Sequence, residues 1–201
     1  LTKSVPFRGD RIRSLDFLND KDLIIGTVNG KLHQFNTETG VNKPLEVGLV
    51  ANQIVEQVVV ASKVAFLLVG GEVMKVMPSD LSKTTKVANL SAKNLFKFNE
   101  EKLLVVSKDN TLVLLDVASL QWQPLATDLK KNTITAAFSS AGNLFLGMED
   151  GQIAICKALK LGNVISVKTD LIIQPHRTRI TSLAFDASSN KLFSASLDQT
   201  A

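Results

Sequence analysis

The sequence predicts an all-β chain built from repeated four-stranded antiparallel sheets, and two observations lead to this prediction. Tight turns recur about every 40 residues, and each of the first four lies between apolar runs typical of strands. The first residues of these turns are Asn29, Gly70, Asp109, Asp150 and Asp198. No segment keeps the 3.6-residue apolar period of a helix beyond two turns. The recurrence therefore indicates a repeat protein made of strands.

Each of the first four turns predicts a β-hairpin. In the first repeat, residues 23–27 enter the turn Asn29-Gly30 and residues 31–35 leave it. Glycine, asparagine and aspartate accept the positive φ that tight hairpin turns require. The third repeat shows the same pattern around Asp109-Asn110, where both residues tolerate positive φ.

A further strand precedes each hairpin, and a more polar stretch follows it. The preceding strands are predicted at residues 12–18, 54–60, 94–98, 133–138 and 180–185. The polar stretches contain Pro44, Pro78 and Pro124, and proline is tolerated at sheet edges rather than in central strands. Each repeat therefore predicts three apolar strands and one outer, polar strand.

The inner strands are apolar on nearly every residue, which is typical of sheets covered on both faces. A sandwich would expose one face of each sheet and show cleaner alternation. Radially stacked sheets, as in a β-propeller, explain the pattern better. We therefore expect one partial propeller over residues 1–201, with blades at 8–50, 51–90, 91–130, 131–175 and 176–201.

The fifth blade is predicted to be incomplete. Its two strands reach the turn Asp198-Gln199, and strands three and four are missing. About four complete blades and a truncated fifth would leave open sheet edges and uncovered apolar faces. We expect a fragment of a larger propeller, strands supplied by a second chain, or closure by residues 1–7 as an outer strand. Open edges also predict self-association.

The fifth repeat resembles the WD-repeat family. The likeness is carried in order by His176, residues 180–185 and residues 191–200. Leu115-Asp116 and Phe35-Asn36 occupy the place of the family's Trp-Asp in the third and first repeats. The chain is thus similar to a divergent WD-repeat propeller of bacterial type. The resemblance implies a platform for protein assembly, as a module of a larger signalling or assembly protein.

The resemblance also implies a hydrogen-bonded cluster of a loop histidine, a strand hydroxyl and a turn aspartate. The matching residues are His176, Ser194 or Ser196, and Asp198. The same residue types could form a hydrolase triad, which needs an activated nucleophile in a cleft. Strand and turn positions favour a structural network in which the three groups satisfy one another.

Composition limits the other functional classes. The net charge is +4, but the lysines are scattered, so nucleic-acid binding is disfavoured. No apolar run approaches the length of a membrane span. The single cysteine, Cys156, excludes a multi-thiolate metal site, favours a cytoplasmic location and is expected to be inert in the core. His33, the other histidine, is expected to pack rather than to bind metal.

These observations predict a non-catalytic scaffold for protein–protein interactions, with no cofactor, no metal and a protein partner of unknown identity. Candidate contact positions on one loop face are Asn29, Asp109, Asp150 and Asp198. Two alternatives remain: a propeller enzyme with a central-channel site, and a binder of anionic surfaces such as nucleic acid. Against the enzyme, no histidine or arginine recurs at matching blade positions.

Overall fold

The computed structural model describes residues 10–47, 53–129, 133–140, 142–161, 164–186 and 188–201. These residues form two compact units. One contains the described residues up to Leu95 together with Val117–Gln121, and the other contains the described residues of Phe96–Asp116 and Trp122–Ala201. Residues 1–7, the predicted closing strand, lie outside the described residues.

The first unit contains a four-stranded antiparallel sheet in the order β1-β2-β3-β4. Its strands are β1 (Ile12–Phe17), β2 (Asp22–Thr27), β3 (Leu32–Asn36) and β4 (Asn42–Leu45). Strands β5, β6, β7 and β8 follow one another in a seven-stranded sheet that continues through the next three strands of the chain, and we call this part of it the second sheet. Its strands are β5 (Val55–Ala61), β6 (Val64–Val69), β7 (Glu72–Met77) and the first part of β8 (Asp80–Lys97). His33 lies on β3, where the sequence predicts it.

The second unit contains the rest of the seven-stranded sheet, which we call the third sheet, and two further sheets. The end of β8 is followed by β9 (Lys102–Ser107), β10 (Leu112–Asp116) and β11 (Trp122–Pro124), which are neighbours in that order. The next sheet has the order β12-β16-β15-β14-β13. Its strands are β12 (Ala126–Thr127), β13 (Ile134–Ser140), β14 (Asn143–Met148), β15 (Ile153–Leu161) and β16 (Val164–Ile173). The fifth sheet has two strands, β17 (Ile180–Asp186) and β18 (Lys191–Ser196).

Strand β8 differs from the sequence prediction. The sequence predicts a new strand at residues 94–98 and a blade boundary between residues 90 and 91, but β8 is continuous from Asp80 to Lys97. This stretch contains no glycine or proline that would end a strand. A change of register against β7 is accommodated near Asn89, which has a φ of 56°.

The hairpin of β15 and β16 is longer than the others, which explains the wider spacing before the fifth turn. Strand β14 pairs with β15 only as far as Lys157. Beyond that residue β15 and β16 pair with each other up to Leu161 and Val164. The short strand β12 runs parallel to β16 at Ser166 and Val167.

The first strand of four sheets carries a β-bulge at the same place. The register shifts between Ile12 and Ser14, and again after Val55, Ile134 and Ile180. The extra residues are Arg13, Glu56, Thr135 and Thr181. Bulges add local twist and aim one side chain out of the regular alternation. Thr135 Oγ1 accordingly donates to the carbonyl of Ile180, 2.6 Å away.

Apolar side chains fill the spaces between neighbouring sheets within each unit. In the first unit, one cluster joins the first and second sheets, with Ile24 and Leu32 against Val58 and Leu67. In the second unit, one cluster joins β9 and β10 to β14 and β15, and another joins the fourth and fifth sheets. Glycine permits close approach here, because a Cβ on Gly147 would lie 2.6 Å from Ile180 Cγ2. Consecutive residues are buried along β6 and β9, as the sequence predicts for inner strands covered on both faces, whereas β17 and β18 of the fifth sheet have one exposed face.

Candidate functional site

The turn aspartates hold their own turns closed. Asp109 Oδ1, Asp150 Oδ1 and Asp198 Oδ1 each accept a hydrogen bond from the backbone N–H two residues further on, at 3.1 Å in all three turns. The residue after each aspartate has a positive φ, which is 64° at Asn110, 86° at Gly151 and 70° at Gln199. These carboxylates therefore belong to the turn structure.

Asn29 has a different partner. Its Nδ2 donates to Asp10 Oδ1 at 3.1 Å, and Lys31 Nζ donates to Asp10 Oδ2 at 3.3 Å. His33 Nε2 lies 3.8 Å from the same Oδ2. The hydrogen bond from Asn29, followed by the bond and charge of Lys31, lowers the pKa of Asp10. In this sheet the carboxylate comes from the segment before β1, and the turn residue donates to it.

The fifth sheet contains a connected polar network around His176, which is 5% exposed. Thr200 Oγ1 donates to Asp198 Oδ1 at 2.6 Å, so its single proton is committed. The contact of 2.6 Å between His176 Nδ1 and Thr200 Oγ1 must then have Nδ1–H as donor. In the neutral imidazole the hydrogen is then on Nδ1, and Ser194 Oγ donates to the remaining nitrogen, Nε2, at 2.8 Å.

Asp198 accepts more hydrogen bonds than any other side chain in this network. Its Oδ2 accepts from the Arg177 N–H at 2.8 Å, while Oδ1 accepts from both the hydroxyl and the N–H of Thr200. His176 Nδ1 lies 3.3 Å from Oδ1. The bond from the Thr200 hydroxyl, followed by that from Arg177, lowers the pKa of Asp198 strongly. The carboxylate therefore ties the turn to the segment before β17.

The structure brings His176, Ser194 and Asp198 together and gives Ser196 a separate partner. Ser196 Oγ donates to the Thr178 carbonyl at 3.1 Å and accepts the Asp198 N–H at 3.1 Å. Thr200, which the sequence analysis did not single out, is the link between imidazole and carboxylate. A hydroxyl residue two positions after a turn aspartate can bind the carboxylate, and this spacing in the sequence could have identified Thr200.

The Ser194 hydroxyl lies on the packed side of its sheet. Ser194 pairs directly with Leu183, and cross-strand partners place their side chains on the same face. Leu183 belongs to the core cluster that packs against Phe145 of the fourth sheet. A nucleophile must face a space that a substrate can enter, whereas this hydroxyl faces the sheet-to-sheet packing.

The turn between β14 and β15 is fixed to the segment before β17. Gln174 Nε2 donates to the carbonyls of Asp150 and His176, both at 2.8 Å. A Cβ on Gly151 would lie 2.4 Å from the His176 carbonyl oxygen, so only glycine fits there. The fourth and fifth sheets are thus joined at their turn ends by backbone contacts as well as by side chains.

Four exposed residues border these contacts, and we call them the turn surface: Glu149, Arg177, Arg179 and Leu197. Arg179 Nε lies 3.7 Å from Glu149 Oε2. Leu197 is 64% exposed, more than any other large apolar residue that the structure describes. The sequence analysis named the neighbouring turn aspartates and missed these four, because hairpin periodicity gives no information on exposure.

Cys156 lies in the core cluster between β14, β15 and the third sheet. Burial raises the pKa of its thiol to about 11, so the reactive thiolate is disfavoured. In the part of the chain that the structure describes, no three His, Cys, Asp or Glu side chains converge as metal ligands. The described residues also include no helix with the length and apolar character of a membrane span.

Comparisons with known proteins place this geometry in context. Residues 167–201 match the family model described as WD domain, G-beta repeat. The fold is similar to that of BamB from Moraxella catarrhalis, with a TM-score of 0.63 and 18% identity over 94% of this chain and 56% of that one. It is also similar to the Cps50 (Swd1) β-propeller domain of Myceliophteria thermophila, with a TM-score of 0.67 and 16% identity over 92% of this chain and 62% of that one.

The chain therefore spans somewhat more than half the length of either structure. No curated protein matches it in sequence. The structural likenesses confirm the predicted all-β propeller fold.

Proposed function

We propose that this chain, which has a β-propeller fold and matches a WD-repeat family model over residues 167–201, is a non-catalytic scaffold for protein–protein interaction. The observation that carries the proposal is the rigid turn surface. Its residues are exposed, while the backbone beneath them is held by Asp198, Gln174 and the close contact at Gly151. A preformed surface loses little conformational entropy when a partner binds.

The polar network supports a structural role for the residues that resemble a triad. Both ring nitrogens of His176 and both carboxylate oxygens of Asp198 have partners within the sheet. A catalytic triad has the same order of contacts, from serine hydroxyl to imidazole to carboxylate, so the accessibility of the hydroxyl decides between the two roles. Here the hydroxyl of Ser194 lies on the face that packs against the fourth sheet, so we assign the network to stability.

The proposal is tested with the full chain immobilised as bait in an extract of its source cells. Exposed cations at different turns are reversed one at a time, as in Lys21→Glu, Lys108→Glu and Arg177→Glu. We expect at least one protein that binds the original chain and is lost with one of these variants, and whose dissociation constant rises in a titration of the purified pair. Equal binding by all three variants would contradict a turn-based scaffold.

The catalytic alternative is tested on the same protein with a fluorophosphonate, which labels activated serines covalently. We expect no labelling of Ser194 in the folded chain. Labelling that disappears with both Ser194→Ala and His176→Gln would show an activated hydroxyl and overturn the non-catalytic assignment.

A further inference from the structure

We propose that the turn surface binds an extended acidic peptide that places a large apolar side chain against Leu197 and a carboxylate against Arg177. The proposal rests on the scaffold function above and specifies the chemistry of its partner. Three observations carry it: the origin of the exposure of Leu197, the balance of charge around it, and the rigidity of the backbone beneath both residues.

The exposure of Leu197 comes from its position in the turn. Its N–H donates to the Arg179 carbonyl at 3.1 Å, as the N–H of Glu149 donates to Thr133 at 2.9 Å. The residue before the turn aspartate thus has the same place in the fourth and fifth sheets, and in the fourth sheet it is a charged glutamate. Leu197 is therefore exposed in a turn, whereas Phe193, which is also exposed, lies on the open face of β18.

The charges around Leu197 leave one group unmatched. Glu149 is within 3.7 Å of Arg179, Asp150 accepts the Gln152 N–H, and the carboxylate of Asp198 is fully engaged. Among the described residues, the guanidinium of Arg177 makes no hydrogen bond or ion pair, although its backbone N–H is bound to Asp198. This surface therefore offers a positive charge, that of Arg177, which a negatively charged group of a partner can complement.

The two residues are held in fixed relation. The Arg177 N–H donates to the Asp198 carboxylate, and the Leu197 N–H donates to the Arg179 carbonyl. These two hydrogen bonds tie the segment before β17 to the turn that contains Leu197. Guanidinium groups bind carboxylates through two parallel hydrogen bonds, and exposed apolar side chains anchor partners when they become buried. An extended peptide with an acidic residue near a large apolar one can meet both groups at once.

The experiment uses the full chain and a phage-displayed library of random 12-residue peptides as the probe. Enriched peptides are then synthesised and titrated by fluorescence anisotropy. We expect enrichment of Asp or Glu close to Leu, Ile, Phe or Trp, and about tenfold weaker binding with either Arg177→Glu or Leu197→Ser. Arg177→Lys keeps the charge but lacks the planar guanidinium that donates two parallel hydrogen bonds, so we expect an intermediate loss of affinity.

Matched control variants distinguish binding at this site from nonspecific binding of the peptides. Lys43→Glu makes the same change of charge at an exposed position on β4, and Val41→Ser removes an apolar residue that is 61% exposed. We expect both controls to bind like the original chain. Peptides whose binding is unchanged by Arg177→Glu and Leu197→Ser would overturn the proposed site while leaving the scaffold function in place. Binding lost with Arg177→Glu alone would indicate simple anion attraction and would also overturn it.

Discussion

The hydroxyl of Ser194 donates to Nε2 of His176 across 2.8 Å, which joins the second strand of the fifth sheet to the segment before its first strand. Ser194→Ala leaves a buried imidazole nitrogen without its donor, so we expect a loss of about 1–3 kcal/mol in the free energy of unfolding. Urea unfolding followed by fluorescence measures it. The control is Ser91→Ala at an exposed position of β8, for which a change below about 0.5 kcal/mol is expected. Equal losses in both variants would contradict the network.

The low pKa of Asp198 predicts a loss of stability in acid. A carboxyl whose pKa is lower in the folded chain stabilises that state above its unfolded pKa of about 3.9, and the contribution disappears as pH falls through the folded value. Asp186, whose pKa the hydroxyls of Ser189 and Ser188 lower to about 2, contributes in the same direction. We expect stability to fall as pH drops from about 4 toward 2.

The variant Asp198→Asn isolates one group in this acid profile. It keeps an acceptor oxygen but cannot titrate, so its stability should depend less steeply on pH over the same interval. Thermal unfolding at a series of pH values measures both slopes. Parallel profiles for the variant and the original chain would show that the carboxylate of Asp198 does not contribute.

Gly147 marks the closest approach of the fourth and fifth sheets. An added methyl group would lie 2.6 Å from Ile180 Cγ2 and 2.8 Å from its Cβ, which forces the strands apart. We expect Gly147→Ala to cost about 1–3 kcal/mol, the usual range for overpacking. In a double-mutant cycle with Ile180→Ala, the cost of the glycine substitution should shrink because Cγ2, the atom in closest overlap, is gone. Additive losses would point to a different cause.

Phe193 predicts self-association of the chain. It is 57% exposed and lies on the opposite face of the fifth sheet from Leu183 and Ser194, away from the core cluster. Exposed apolar sheet faces drive association. We expect Phe193→Ser to lower the mass measured by light scattering after size exclusion, whereas Val41→Ser should leave it unchanged. A clean monomer of the original chain would rule out this association.

Much of the fold could be predicted because tight turns depend on local chemistry. The pairs Asn29-Gly30 and Asp150-Gly151 predict positive φ from residue type alone, and both glycines have a positive φ in the structure. The continuity of β8 was not predictable in this way. Its register change relies on the positive φ of Asn89, and asparagine is equally common in loops.

The candidate site was predicted in part. His176, Ser194 and Asp198 carry a family pattern, and the structure brings them together through Thr200. The turn surface depends instead on which face each side chain occupies after the sheets stack. That information lies in tertiary packing, so the exposure of Arg177 and Leu197 beside the turn cannot be predicted from the sequence.

The bulges in the first strands decide where the length of this chain can vary. Thr135 and Thr181 have no paired residue on the neighbouring strand, so removing either one would leave all other cross-strand pairs of its sheet in place. Removing a single residue after the bulge, such as Ala137 or Ala184, would instead turn the adjoining part of the strand to the other face, because side chains alternate. Single-codon deletions should consequently be tolerated better at either threonine than at the later positions of the same strand.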